Sequence, residues 1–255
     1  MDLALLMPLA NANTRYYLAK GLEERGLDDE ANRQWDLIAR TGQFGDWAVN
    51  EAARKLGNHL SGQDNLKAAA CWERLLLSCL KTSTGASKVE GYLKLAHLIH
   101  KARARGLLAA GKIDAAVAEI ELSRQALPGS IGLAEDLVPE LEKAGRKAAA
   151  DALFAKVFAA NEPVCKDFPK APTWLNNTAW LAARCNRKLD EALAYATRAT
   201  ELAPDNPGYL DTLAEVHHRR GNRAEAVNLA KRCIQLSPEE EHYKEQLARF
   251  EKGEP

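Results

Sequence analysis

Histidines, cysteines and one short basic run are the residues of this 255-residue chain whose types invite a chemical reading. His97 and His100 stand at i and i+3, which puts two imidazoles on one helical face, with His59 as a conceivable third metal ligand. Nothing beside them completes the closed ligand set that zinc requires, so no metal site is expected. The five cysteines are odd in number and lack C-x-x-C spacing, which argues against a disulfide framework, a thiolate zinc site and haem attachment. Cys71, Cys79, Cys185 and Cys233 fall in apolar helical patterns and read as small hydrophobes. Cys165 stands between Pro163 and Pro169 and reads as a loop residue, the most reactive thiol of the five. No strand-turn-helix elbow offers a serine or cysteine to a histidine, so nucleophilic catalysis has no site. Lys101, Arg103 and Arg105 form a basic cluster, but Arg103 lies on the other side of a helix from its neighbours, leaving too small a patch to hold nucleic acid. The expectation is a chain with no enzyme activity, no cofactor and no metal.

Composition narrows the class further. Thirty-five basic residues balance 35 acidic ones, so no global field draws the chain to nucleic acid or anionic lipid. A hydrophobic content of 46% is ample for a buried core, yet no stretch reaches the roughly 20 apolar residues of a membrane span. Leu3 to Ala10 is apolar but short, and Asp2 precedes it without a basic flank, unlike a signal peptide. A cytoplasmic location is expected, or a place in the exported part of a longer chain.

The elements that position these residues repeat with a fixed period. Asp190, Glu191, Ala192, Ala196, Arg198, Leu202 and Pro204 recur 34 residues later as Ala224, Glu225, Ala226, Ala230, Arg232, Leu236 and Pro238. The same interval joins Leu107 to Leu141, Gly111 to Gly145, Ala116 to Ala150 and Ile120 to Phe154. A period of this length marks a stacked array. Within a copy, Leu210, Leu213, Ala214 and His217 form one helical stripe, and Ala226, Ala230, Cys233 and Ile234 form a second. Gly221 separates them and is expected in the left-handed region, as are Gly26, Gly111 and Gly145, with Asn186 taking that place in the fifth copy. Pro128, Pro204 and Pro238 close the second helices because proline cannot donate the next hydrogen bond. No segment alternates in the manner of a strand.

Helix, glycine, helix and proline within 34 residues, with Leu210-x-x-Leu213-Ala214 early and Ala224-Glu225-Ala226 opening the second helix, resembles the tetratricopeptide repeat. The segment Asn176-Asn177-Thr178-Ala179-Trp180-Leu181-Ala182 further resembles the terminal repeats of bacterial members. The resemblance is strong at 207–240, and the copy at 172–206 has one extra residue in its Arg184-to-Lys188 turn; the pair at 97–130 and 131–164 keeps the spacing but few signature side chains, while Gly26, Ala31 and Trp35 fit a copy near 12–45 and Ala68 and Trp72 a looser one near 49–82. It implies an all-α, right-handed α-solenoid of antiparallel helix pairs, about six copies by the period, with the helix from His242 to Phe250 as a solubilising cap. Pro139 is expected to kink a first helix or displace its start. The polar stretch 82–87, ended by a Ser87-x-x-Glu90 capping box, and the proline-rich stretch 161–172 read as loops dividing one domain, 1–255, into sub-arrays 1–82, 87–164 and 171–255. The apolar start resembles the tail of another second helix, so the chain is expected to be the C-terminal part of a longer protein.

The resemblance also implies a function: a non-catalytic scaffold that binds a peptide or partner helix on its concave face, lined by the first helix of each copy. Those places fall on Tyr16, Tyr17 and Lys20, then Arg54, then Lys101 and Arg105, then Glu135 and Asp136, then Asn176, Asn177 and Trp180, and last Asp211, Thr212, Glu215 and His218. The groove is expected to run from basic to acidic, which would orient a peptide of mixed charge. Asn176 and Asn177 suit the backbone of an extended ligand, and Trp180 suits either an exposed anchor or the core. Trp35 and Trp72 read as core. The Lys, Asn and Arg clamp by which some relatives hold chaperone tails is incomplete here. The alternative is a C-terminal scaffold or oligomerisation domain of a larger enzyme or membrane-associated assembly. The partner is expected to be a protein or peptide, and the chain a monomer or weak homo-oligomer without membrane insertion.

Overall fold

The computed structural model describes residues 11–43, 45–82 and 89–254. The apolar start, Ser87 and most of the 82–87 stretch lie outside them. The described residues form thirteen helices and no strand. Six antiparallel pairs follow the order read from the repeat: α1 (Ala12–Glu23) with α2 (Asp28–Thr41), α3 (Trp47–Leu60) with α4 (Asn65–Thr82), α5 (Val89–Ala109) with α6 (Ile113–Ala126), α7 (Ile131–Lys143) with α8 (Lys147–Asp167), α9 (Pro172–Arg184) with α10 (Leu189–Leu202), and α11 (Pro207–Arg219) with α12 (Arg223–Leu236). A single helix, α13 (Glu241–Lys252), follows. The described residues are all α, arranged in helix pairs, and the chain divides into two compact units, 1–127 and 128–255.

Each pair forms because its inward stripe holds small residues where the two helices approach. Ala214 and Ala226 are fully buried between α11 and α12, and a wider side chain at either place would push the helices apart. The turn between them needs a left-handed residue, and Gly221 supplies it at φ +81°. Asn186 takes the equivalent place at φ 51°, with Lys188 also left-handed in the longer turn before α10. A Cβ at 221 meets no neighbour within 4 Å, so the cost of a side chain there is chiefly backbone strain. Gly221→Val is expected to lower stability by about 1–3 kcal/mol, measured by urea denaturation.

Unit 1 is built around Trp35, which is fully buried and donates its indole N–H to Glu23 Oε1 at 2.8 Å. Lys55 completes that link, 2.5 Å from Glu23 Oε2 and 5.0 Å above the Trp35 ring. Trp72 is likewise core, and its indole fills the space that a side chain at Gly57 would need. Unit 2 buries Leu133, Leu137, Leu141, Val157, Leu181 and Leu210 along successive helices.

Two readings of the proline-rich segments need correction. The stretch expected as a loop at 161–172 is helical as far as Asp167, with Pro163 inside α8. Buried Asn161 ties this turn down by donating to Val157 O at 2.9 Å and Gly129 O at 3.2 Å. Cys165 is therefore no loop thiol: it is 2% exposed, packs with Leu175 and Ala199, and lies 3.2 Å from Thr178 Oγ1. Burial pushes its pKa up, which disfavours the reactive thiolate. Pro139 does not displace the start of α7: the helix begins at Ile131 and runs through it, with Leu137, Val138 and Leu141 buried on either side.

Candidate protein-interaction surface

Within each unit the first helices run side by side: α1 packs on α3 in unit 1, and α7 and α11 pack on α9 in unit 2. The side chains that these helices turn away from their partners therefore share one face in each unit.

In unit 1 that face carries an aromatic pocket. Asn11 caps α1 by accepting from Thr14 N at 2.9 Å, and Asp46 caps α3 by accepting from Ala48 N at 2.9 Å. These starts fix the register that brings Tyr16 of α1 to Trp47 of α3, ring centroids 4.6 Å apart and edge to face. Tyr16 also meets Trp35 at 5.3 Å and Tyr17 at 5.4 Å. Trp47, Asn50 and Arg54 stand at i, i+3 and i+7 on α3, and with Tyr16, Glu51 and Leu75 they line a pocket of about 440 Å³. Trp47 is 49% exposed. Arg54 is gripped by Glu51 at 3.0 and 2.5 Å, and that hydrogen-bonded pair raises the arginine pKa. The Asn50 Oδ1 oxygen is buried and has no hydrogen-bond partner in the protein, as is the case for Asn13 Oδ1 on α1. A buried acceptor left in that condition costs free energy until a donor reaches it.

Of the residues expected to line the groove at this end, Tyr16 lines the pocket half-buried, while Tyr17 and Lys20 are exposed on the rim, Lys20 3.9 Å from Glu24. Lys101 and Arg105 on α5 are half-buried and engaged in interactions within the protein. The three histidines serve structural contacts: His97 meets the Ser123 hydroxyl at 2.9 Å, His100 meets Glu119 at 2.6 Å, and His59 lies 3.3 Å from Asn32. Desolvation lowers the His97 pKa. Among the described residues no three such groups gather as a metal site.

In unit 2, α9 presents Asn176, Asn177 and Trp180, all half-buried. Trp180 donates its indole N–H to Glu135 Oε1 at 3.2 Å, and the Arg184 guanidinium lies 5.4 Å from its ring. The Asn176 amide donates to Asn177 Oδ1 at 3.5 Å, while its own buried Oδ1 has no partner. Trp180 is thus neither a free anchor nor a core residue: it is held at its indole edge by Glu135 and over its ring by Arg184, which itself lies 3.5 Å from Glu135.

The acidic end of the expected groove is corrected by the structure. Asp211 and Glu215 are buried, Glu215 at 0% exposure, because α13 covers them. Arg219 meets Glu215 at 2.7 Å from α11, and Arg249 of α13 closes on its second oxygen. His242 lies 3.2 Å from Asp211, and Thr212 is buried with its hydroxyl on Gly208 O. His218 stacks on Phe250 at 4.8 Å and meets Glu254 O at 2.7 Å. Desolvation raises the Asp211 pKa against the pull of His242. Desolvation also works against the charge on Glu215, but the arginine pair prevails and holds its pKa below the ordinary value. These carboxylates bind the last helix and give a groove no acidic end.

Paired helices, left-handed turn residues, alanines at the pair contacts and a lone closing helix are the features of a helical-repeat chain. In these features the helix pairs are similar to tetratricopeptide repeats. No family model matches the chain, and no curated protein is similar to it in sequence. Solved structures with a similar arrangement include YrrB, described as a tetratricopeptide-repeat protein with an unusual peptide-binding site (15% identity, 79% of this chain and 91% of that one, TM-score 0.37), and TTC0263, a thermophilic tetratricopeptide-repeat protein of Thermus thermophilus (15%, 80% and 98%, TM-score 0.46). Yeast Tom70 is similar at 18% identity over 88% of this chain and 53% of its own, with a TM-score of 0.40.

Sequence reasoning missed Trp47 and Asn50. Their signal was available: with Arg54 they mark one helical face directly after the capping Asp46. It was obscured because the eroded early copies were aligned on Ala68 and Trp72 of the second helix.

Proposed function

We propose that the chain is a non-catalytic protein-interaction scaffold that binds an extended peptide across the first helices of unit 1. The observation that carries this reading is the open pocket that Tyr16, Trp47, Asn50 and Arg54 line on the first helices of unit 1. An asparagine amide can serve both the N–H and the C=O of an extended ligand. The edge-to-face pair of Tyr16 and Trp47 provides rigid apolar contact at low entropic cost for a hydrophobic side chain. Arg54 and Glu51, already paired to each other, admit a charged neighbour of either sign only by sharing, so shape and backbone pairing dominate recognition. No described helix is long and apolar enough to cross a membrane.

The test is selection of peptides from a displayed random library on the full chain, followed by titration of the enriched sequences against variants. Asn50→Ala and Trp47→Ala are each expected to weaken binding about 10-fold or more while circular dichroism stays helical. Enriched peptides that bind both variants as tightly as the parent chain would place recognition elsewhere and defeat this reading.

A further inference from the structure

The second helices of unit 1 leave a larger groove that the peptide reading does not use. Between α2 and α4, above the C-terminal end of α3, lies an open trough of about 1380 Å³. Its floor is apolar, with Leu37, Leu60, Ala70, Cys71 and Leu77, and Leu77 is 52% exposed. A helix about 10 Å across and about 21 Å long, sunk to half its depth, fills on the order of 1000 Å³. The trough therefore has the dimensions of a docked helix.

Charge identifies which helix. Asp29, Arg33, Asp36 and Arg40 all line the trough and stand at i, i+4, i+7 and i+11, one stripe of alternating sign along α2. Turned antiparallel about a two-fold axis between Arg33 and Asp36, the stripe opposes itself: Asp29 meets Arg40 of the second copy, Arg33 meets Asp36, and each contact occurs twice. Such self-complementarity is what an isologous interface demands. The intrahelical pairs Arg40–Asp36 at 2.5 Å and Arg33–Glu30 at 3.0 Å are solvent-exposed, so sharing them with a second copy gives up little. The other charged lining residues are already engaged, Lys67 with Asp64, Glu73 with Arg103, and Arg74 with Gly42 O.

We propose that the chain forms a two-fold homodimer in which α2 of each copy lies antiparallel in the α2/α4 trough of the other, registered by the Asp29, Arg33, Asp36, Arg40 stripe. Leu37 then enters the apolar floor beside Leu77, and the four charge contacts fix direction and register more than they add affinity. The interface uses second helices, so the first-helix pocket stays open in the dimer, and either reading can fail without the other.

Sedimentation of the full chain over a concentration series tests the proposal. The parent chain is expected to shift from monomer to dimer. Arg33→Asp with Arg40→Asp makes the stripe uniformly acidic and is expected to weaken association about a hundredfold or more, with circular dichroism unchanged. Inverting all four charges (Asp29→Arg, Arg33→Asp, Asp36→Arg, Arg40→Asp) restores self-complementarity and is expected to restore the dimer. A mass-tagged mixture of parent and inverted chains is then expected to hold only homodimers, because every mixed contact sets like charges together. A parent chain that stays monomeric throughout, a dimer that survives the double reversal, or mixed dimers in the final experiment would each overturn the proposal.

Discussion

Trp35→Ala is expected to lower the stability of the protein by about 3–5 kcal/mol, the cost of emptying a fully buried indole site that cannot collapse around the loss. The side chain joins α1, α2 and α3 at once: it meets Tyr16, it lies under Lys55, and it donates to Glu23. Removal also frees Tyr16, whose ring is held between Trp35 and Trp47, so the pocket should loosen together with the core. Urea denaturation measures the total loss. Native-state hydrogen exchange locates it, with lost protection expected in α1 to α3 and retained protection in unit 2, which has its own core. Uniform loss of protection through both units would contradict the assignment of separate cores.

The second large effect lies at the other end of the chain. Arg249→Met is expected to cost about 2–3 kcal/mol at neutral pH, because it leaves the buried Glu215 carboxylate with Arg219 alone. The sign of the pH dependence follows from the folded-state pKa of Glu215, which lies below the ordinary glutamate value of 4.5. A carboxylate depressed in this way contributes its full stabilisation above the unfolded pKa and loses it as pH falls through the folded one. The difference between parent and variant is therefore expected to shrink below about pH 4, since a protonated Glu215 has no charge left to compensate. Thermal melts of both proteins from neutral pH into that acid range check this. A difference that stays constant to the lowest pH would mean that Arg249 acts through packing on Phe250 instead.

These two sites show what the sequence disclosed and what it hid. The repeat was legible because its markers have backbone duties that few residues can fulfil: Gly221 and Asn186 in left-handed turns, Ala214 and Ala226 at helix contacts, and Pro204 and Pro238 after second helices. The proline-rich stretch misled because the local preference of Pro163 was overridden by packing: Asn161 bonds two carbonyls, and Cys165 is buried against Leu175. Asp211 and Glu215 misled because a charged stripe on a first helix reads as solvated until the covering helix is known. A usable signal did exist for Glu215, since Arg249 stands one 34-residue period after it, at the corresponding place on what amounts to the first helix of a seventh copy. Trp180 was undecided because its setting depends on Glu135, 45 residues away on α7.

The claim that the first helices receive the ligand can be read at the tryptophans themselves. The chain has five, at 35, 47, 72, 174 and 180, and their surroundings differ: two core, one in the unit 1 pocket, one exposed at the start of α9 and one beside Glu135 and Arg184 in unit 2. Labelling with 5-fluorotryptophan gives each a fluorine resonance, assigned by single Trp→Phe variants. On titration with a peptide selected against the full chain, the Trp47 resonance is expected to move in a saturable manner, with Trp72 unmoved. A peptide that binds and saturates without shifting Trp47 would contradict the account.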